Sequence, residues 1–475
     1  MNRLALVLAI TAISNPAFAA PPKAFPPPKS LGPVEKYGAH LQRSMALMAT
    51  STGLKRNTVR ILFYGQSITH SDWTRIVGER LRRQYPLANL VIENRAISGF
   101  DSSKLSKTAE ADLYPFYPDL VIFHDYGDAA PYEDMVRRIR ERTAADILIA
   151  TDHIAPRVGE KVDEVTDPAK LPAPKPGTHD AAWRSYVFLP ALARKYGAEL
   201  ADIRTLWKQY LKDAKLSPSD LLYDDLHLNS HGIDLMAELI LAHLRYRPEL
   251  AMNADDGRVK TLTVGPEDDL QWKDGKLVVP FEGNKIDLIC KEGAAAPAAI
   301  RIDGKKPSEF PELYIPTRAI AVDPRGPFPP LLRVRHRTPL IIEDWKILIT
   351  DVNADCTRYK FRVIGSVTGD DGDGEGGKPF VSKSGRIVLD PDDFNLLFPL
   401  RRFENATSSS LEALWHVRPH FVDQFAAPAN RNHFGETIVT AAQGLKNCKH
   451  TLEITGSPDT PIGAIRIYRP PLLSR

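Results

Sequence analysis

A serine becomes a useful nucleophile only when a nearby base can take its proton, so the first residues to weigh are serines, histidines and the carboxylates around them. In "FYGQSITHSDW", residues 63–73, an apolar run ends at Gly65-Gln66-Ser67 and polar residues open a helix. Ser67 at such a place has its own backbone N–H near the positive end of a helix, where an oxyanion can bind. The base candidate lies in "LLYDDLHLNSHGIDLMAELILAHL", residues 221–244, where Asp224 stands three positions before His227. A carboxylate three residues ahead of an imidazole on a turn can accept one ring N–H, fix the tautomer and support the imidazolium. The other ring nitrogen is then free for Ser67. Asp225 is the neighbouring carboxylate, but the spacing favours Asp224. Each motif alone is ordinary: Gly-x-Ser also makes plain strand-to-helix turns, and Asp-x-x-His also occurs in surface loops.

These residues work together only if the fold brings them to one edge. Apolar strand-like runs at 59–64, 90–94, 119–124, 146–151 and 198–203 alternate with amphipathic stretches such as "DWTRIVGERLRRQY", "YEDMVRRIRERT" and "AAWRSYVFLPALARKYG". Pro190 in the last should kink or interrupt its helix. A further helix is expected over Val34 to about Thr50, and Asn229 or Ser230 can cap the helix whose apolar face is Ile233, Met236, Ile240 and Leu244. Alternation of this kind predicts a flavodoxin-like α/β fold, a parallel sheet with helices on both faces. Right-handed crossovers put the carboxyl ends of the strands on one edge, where ligands bind in such sheets. Ser67 follows the first strand, and Asp224 and His227 precede the last helix, so all three converge there.

Over about residues 55–247 the chain resembles the SGNH (GDSL-type) hydrolases, metal-independent serine esterases that need no cofactor. Their strand followed by G-D-S looks like "FYGQSIT", their N-x-x-x-x-G element like "ENRAISGF", and their D-x-x-H like "DDLHLNSHG". The resemblance implies that Ser67 is the nucleophile, His227 the base and Asp224 its orienter, with the Ser67 and Gly99 backbone N–H groups as oxyanion donors and Asn94 beside the substrate. Two positions depart from the pattern. Gln66 replaces an aspartate that is neither nucleophile nor base. In the third block, G-x-N-D, the glycine falls at Tyr126 and the oxyanion-binding asparagine at Asp128. An ionised carboxylate cannot donate, and losing such a donor costs roughly 3 kcal/mol of transition-state stabilisation. Asp128 is then protonated or turned away, or His124 replaces it as donor, or the enzyme is slow; alternatively Asp128 only caps the helix near Pro131. His124 and His153, with His70, Trp73, Asp125 and Asp152, follow strands and are expected to line the pocket.

The remainder sets the context. The 475 residues exceed the roughly 250–300 at which one core stops growing. Residues 34–250 read as the hydrolase domain and 255–475 as an all-β sandwich region of one or two domains, because short β-rich runs there are divided by Gly, Pro and Asp turns. "GDDGDGEGGK", residues 369–378 within it, reads as a solvated hairpin loop more readily than as a calcium loop, since the twelfth position counted from Asp371 is Ser382. "WHVRPHFVDQF", 415–425, alternates as a strand with one buried face, with a sugar-stacking surface as the alternative. Cys290, Cys356 and Cys448 have no metal-ligand spacing; they are either one disulfide and a thiol or three buried apolar side chains. Arg3, the run "LALVLAITAI" and Ala17-Phe18-Ala19 read as a signal peptide over 1–19, followed by a Pro-rich leader over 20–33. The run is too short to span a membrane. A net charge of +3 with both signs interspersed gives no basic stripe for nucleic acid. The expectation is an exported, periplasmic or secreted serine esterase removing short acyl groups, acetyl foremost, from a polysaccharide or other acylated small molecule. The alternatives are a glycan-binding protein on the same scaffold and a lipid esterase.

Overall fold

A computed structural model of the chain describes residues 25–473 except 157–160, 163–165, 176–177, 179, 251–256, 294–296, 323–327, 402–407, 431 and 433. The expected signal peptide and the first residues of the leader lie outside the described residues. Residues 25–33 carry no regular element; Phe25 stacks on His231 and the Pro26 carbonyl accepts the Tyr210 hydroxyl. Among the described residues no helix is long and apolar enough to cross a membrane.

Five parallel strands, β1 (Thr58–Gly65), β2 (Asn89–Asn94), β3 (Leu120–His124), β4 (Asp146–Ala150) and β5 (Glu199–Ala201), form a sheet in the order β2-β1-β3-β4-β5. That order is flavodoxin-like, with its topological switch between β1 and β3. The strands read as unbroken apolar runs because both faces are covered. Val59, Ile61 and Phe63 of β1 enter one core with Trp73, Trp207 and Met236, while Leu62 and Tyr64 enter the opposite core with Leu105, Tyr132 and Leu189.

The helices are α1 (Gln42–Ala49), α2 (Ser67–His70), α3 (Trp73–Gln84), α4 (Ser102–Asp112), α5 (Ala129–Arg142), α6 (Ala181–Trp183), α7 (Leu189–Tyr196), α8 (Ile203–Ala214) and α9 (Ser230–Leu241). The long helix expected over 34–50 is a correction. Only a 3₁₀ turn at Val34–Lys36 and α1 form, because Gly38 between them sits at φ +79 against the His243 carbonyl. Pro190 does interrupt its helix: a π turn over Arg184–Phe188 separates α6 from α7 and brings Pro190 to the start of α7, where its missing N–H costs nothing. Asn229 is the cap of α9, accepting the N–H groups of His231 and Gly232.

The β-rich region holds two larger sheets, each with its own core. One, in the order β17-β8-β18-β7-β19-β6, joins Gln424–Phe425 (β17), Ala298–Ile302 (β8), Ile438–Thr455 (β18), Lys276–Cys290 (β7), Ile462–Tyr468 (β19) and Val259–Thr263 (β6). The other is built from β9 (Tyr314–Pro316), β10 (Ile320–Ala321), β11 (Asp344–Thr350), β12 (Lys360–Gly365), β13 (Gly369–Glu375) and β16 (Leu411–Pro419). The small hairpin β14 (Phe380–Val381) and β15 (Val388–Leu389) packs beside it. The Gly/Asp-rich segment is not a loop but β13, paired along β12. A side chain at Gly374 or Gly376 would strike the rings of Phe361 or Tyr359, and buried Asp371 accepts the Ser384 N–H and hydroxyl. In β16, Trp415 and Val417 are buried while His416 and Arg418 face solvent. None of the three cysteines forms a disulfide and none is buried, which corrects both expectations. The β-rich region meets the α/β part through the Phe100, Phe328 and Phe398 rings and through Arg318, which grips Asp112 bidentately.

Candidate active site

Gly65 ends β1 opposite His124, the last residue of β3. A Cβ there would lie 1.9 Å from the His124 carbonyl oxygen, so only glycine lets the two strand ends come this close. The next residue, Gln66, is the N-cap of α2. Its Oε1 accepts the Ile68 N–H at 2.9 Å and the Ser67 hydroxyl at 2.8 Å. Thr69 donates to the His124 carbonyl at 2.9 Å, and the Trp73 indole N–H donates to the Ile68 carbonyl at 2.6 Å. Both bonds tie this one-turn helix, and with it Ser67, to buried structure.

The second half of the site is a tight loop closed by a bridge between Leu222 and Leu228 and by the Tyr223 N–H on the His227 carbonyl at 3.0 Å. Asp224 Oδ1 accepts the N–H groups of Leu226 (2.8 Å) and His227 (2.6 Å), and its Oδ2 lies 2.7 Å from His227 Nδ1. Desolvation pushes the Asp224 carboxyl upward, but the bonds from His227 and Leu226 outweigh it and hold the group down at about 2. The carboxylate is therefore ionised at neutral pH, which assigns the proton to His227 Nδ1 and leaves the Nε2 lone pair facing Ser67 Oγ at 3.0 Å. Asp225 takes no part in this arrangement. The single Ser67 hydroxyl proton thus has two acceptors within reach, Gln66 Oε1 and His227 Nε2.

The Ser67 N–H opens α2 and has no intrahelical acceptor. The Ile97 N–H donates to the Gly65 carbonyl at 3.0 Å, which holds the loop carrying Gly99 (φ +78) against the end of β1. Asn94 does not reach toward a ligand, contrary to expectation. Its amide donates to the Thr69 carbonyl (2.8 Å) and Thr74 Oγ1 (3.0 Å), and its carbonyl accepts the Ala96 N–H (3.0 Å), so it braces the same loop. Asp128 stands at the N-cap of α5 with extended backbone, yet its side chain makes no capping bond; its carbonyl accepts the Ser102 hydroxyl at 2.9 Å.

Five of the expected pocket residues, His124, His153, Trp73, Asp125 and Asp152, are buried beneath the site instead of lying at its rim. His124 is fully buried and His153 1% exposed. His124 Nδ1 is 3.4 Å from Gln66 Nε2, so it accepts, and Nε2 turns its proton toward Asp152 Oδ1 at 3.6 Å. His124 thus accepts on the Gln66 side and turns its N–H away from Ser67. Asp152 in turn pairs with Arg184, a buried cation on the π turn whose guanidinium also covers the Tyr126 ring at 4.9 Å. His153 Nε2 donates to the Leu226 carbonyl at 2.8 Å and so supports the Asp224–His227 loop from below. Burial holds both histidines down at about 4, keeping them neutral, and pushes the Asp125 carboxyl well up. At the rim, His70 Nδ1 meets Ser98 Oγ at 2.9 Å, and the exposed Tyr223 ring stacks beside His227. The sequence reading passed over Arg184 and Tyr223. A lone arginine inside an apolar helical stretch, and an aromatic residue directly before Asp224, were the available signals.

A serine after the first strand of a 2-1-3-4-5 sheet, hydrogen-bonded to the histidine of an Asp-x-x-His before the last helix, is similar to the arrangement expected from the SGNH/GDSL-type sequence pattern. No protein-family model matches the sequence, and no curated protein matches it. Similar solved structures include a two-domain esterase active on acetylated mannans, co-crystallised with mannopentaose. It is 14% identical, the match covers 92% of this chain and 98% of that one, and the TM-score is 0.35. An acetylxylan esterase from Geobacillus stearothermophilus is 18% identical over 41% of this chain and 98% of its own, with a TM-score of 0.33. A GDSL-like lipase from Parabacteroides merdae is 18% identical over 41% and 100%, with a TM-score of 0.32.

Proposed function

We propose that the protein is a serine ester hydrolase that removes short acyl groups, acetyl foremost, from a carbohydrate. The observation that carries the proposal is the chain Ser67 Oγ–His227 Nε2 at 3.0 Å and His227 Nδ1–Asp224 Oδ2 at 2.7 Å. His227 Nε2 takes the Ser67 proton as Oγ bonds to the acyl carbon, and the Ser67 and Gly99 N–H groups receive the oxyanion. The tetrahedral species collapses when His227 returns that proton to the leaving sugar oxygen and the ester C–O bond breaks. A water then gives a proton to the same nitrogen, attacks the acyl-enzyme and releases the acid and free Ser67. Asp224 stays ionised throughout and steadies the imidazolium. Short acyl groups are favoured because the Asp224 and His227 side chains are partly exposed and the sequence holds no broad apolar segment near the site that could form a lid. The carbohydrate assignment rests on the resemblance and on the large β-rich region that accompanies the site. The signal peptide read over 1–19 supports export.

The test is Ser67→Ala assayed on acetyl esters, with a serine-directed phosphonate applied to the unaltered protein. The expected loss is on the order of 10⁶ in kcat, with labelling confined to Ser67. Wild-type turnover in Ser67→Ala would sink the proposal. Inertness toward every acyl ester and the phosphonate, with polysaccharide binding retained, would leave a glycan-binding protein on a hydrolase scaffold.

A further inference from the structure

The loop that carries Asp224 and His227 also carries a side chain that the loop itself does not need. Tyr223 leaves 70% of its surface exposed, unusual for a large ring whose burial would be favourable. The loop is closed by the Tyr223 backbone N–H, not by its phenol. The ring lies nearly parallel to the His227 imidazole, 12° between planes and 5.6 Å between centroids. It therefore stands at the mouth of the site, beside the imidazole whose Nε2 faces Ser67. The stretch beside Gly99 holds the polar, exposed His70–Ser98 pair instead.

Position decides what such a ring would meet. In the acyl-transfer cycle His227 hands its proton to the leaving oxygen, so the leaving alcohol must lie on the histidine side of the ester. A sugar is well matched to an exposed phenol there: its C–H face can cover the apolar ring while its hydroxyls stay at the edge, in water or beside the Tyr223 hydroxyl. We propose that Tyr223 is the platform on which the saccharide bearing the acyl group rests, making it a specificity-determining residue. This inference rests on the serine-esterase reading and adds to it the place and chemistry of the leaving-group subsite. It also accounts for an aromatic residue directly before Asp224, since the short loop that fixes the carboxylate fixes the ring in the same turn.

The test compares one acyl group on two leaving groups: an aryl acetate, and the best substrate among a set of partially acetylated disaccharides. The quantity read is the ratio of kcat/KM for the disaccharide to that for the aryl ester. It should fall about tenfold in Tyr223→Ala, the order expected for losing one stacked ring, and stay within about twofold in Tyr223→Phe and Tyr223→Trp. If the ring only buttressed His227, both substrates would suffer alike and the ratio would not move, which overturns the proposal. Failure to turn over any acetylated disaccharide while cleaving the aryl ester overturns it too. Ser67→Ala, run on both substrates, separates the two claims: surviving turnover there defeats the esterase reading itself, whatever Tyr223 does.

Discussion

Gly65 offers the sharpest link between backbone geometry and catalysis. A methyl group at this position would sit 1.9 Å from the His124 carbonyl oxygen and 2.5 Å from Thr69 Oγ1, where even 3.0 Å is closer than real Cβ contacts come. The Gly65–His124 separation must therefore open by about 1.1 Å or more. Ladder pairing from Ile61–Leu120 to Phe63–Ile122 holds the rest of both strands, so the opening is taken up at the Gly65–His124 end and carries with it the one-turn helix that follows Gly65. That helix carries Ser67, whose Oγ is 3.0 Å from His227 Nε2, its proposed base. A misplacement of about 1 Å costs roughly 10²-fold in rate. Gly65→Ala should thus lose about a hundredfold in kcat on an aryl acetate with little change in KM, and about 1–3 kcal/mol of stability from overpacking. Gly197→Ala supplies the contrast: its φ is +59, so alanine is strained there, but nothing lies within 4 Å of the added methyl. It should melt earlier, by about 1–2 kcal/mol, with kcat intact. A Gly65→Ala enzyme within threefold of wild-type kcat would refute the reasoning. So would a Gly197→Ala enzyme that loses as much activity.

Two further outcomes concern the polar layer under the site. Asp152→Ala leaves the Arg184 guanidinium buried without its carboxylate and should cost about 3–5 kcal/mol in urea unfolding. Asp152→Ala combined with Arg184→Met should recover part of that loss, whereas a cost below about 1 kcal/mol for the single change would show that the pair is not desolvated. His124 and His153 are each lowered from 6.5 to about 4, chiefly by burial. Between those values the unfolded chain binds protons that the folded chain refuses, so stability is full above about pH 6.5 and declines as pH falls toward 4. The slope should be about 1 kcal/mol per pH unit for each histidine. Urea midpoints at pH 7, 6 and 5 measure it, and a flat profile would contradict neutral, buried imidazoles.

What the sequence disclosed follows from how local each signal is. Ser67 after an apolar run, and Asp224 three residues before His227, are short-range patterns whose meeting is forced by strand order, so a linear reading could join them. The five strands were legible because both their faces are buried and their apolar runs are unbroken. His124 and His153 were misplaced because a polar residue at a strand end can point to the rim or beneath it, and only the packing of Arg184 and Asp152 decides. The Gly/Asp-rich stretch looked like a loop by composition. It forms a strand because the Phe361 and Tyr359 rings lie over its glycines, a contact no local pattern encodes. Gly38 likewise breaks the helix expected over 34–50 through a long-range contact with the His243 carbonyl.

The departure at Gln66 gains a physical reason from the layer below it. Carboxylates at 66 and 152 would both bear on one fully buried imidazole, which favours protonation of one of them or of His124. A glutamine avoids that. Its amide N–H meets the lone pair of neutral His124, whose other nitrogen faces Asp152, whose charge is matched by Arg184. The orientation of the amide is fixed by this sequence of partners, and with it the carbonyl that holds the Ser67 hydroxyl and caps α2. An aspartate here, as in the pattern the sequence resembles, would offer an oxygen in each direction and leave the sense of the chain undetermined. Gln66 gives it one sense. The buried charges therefore serve the proposed nucleophile at a distance: they cost desolvation energy, and in return a four-residue helix too short to hold its own shape presents Ser67 to His227 in one position.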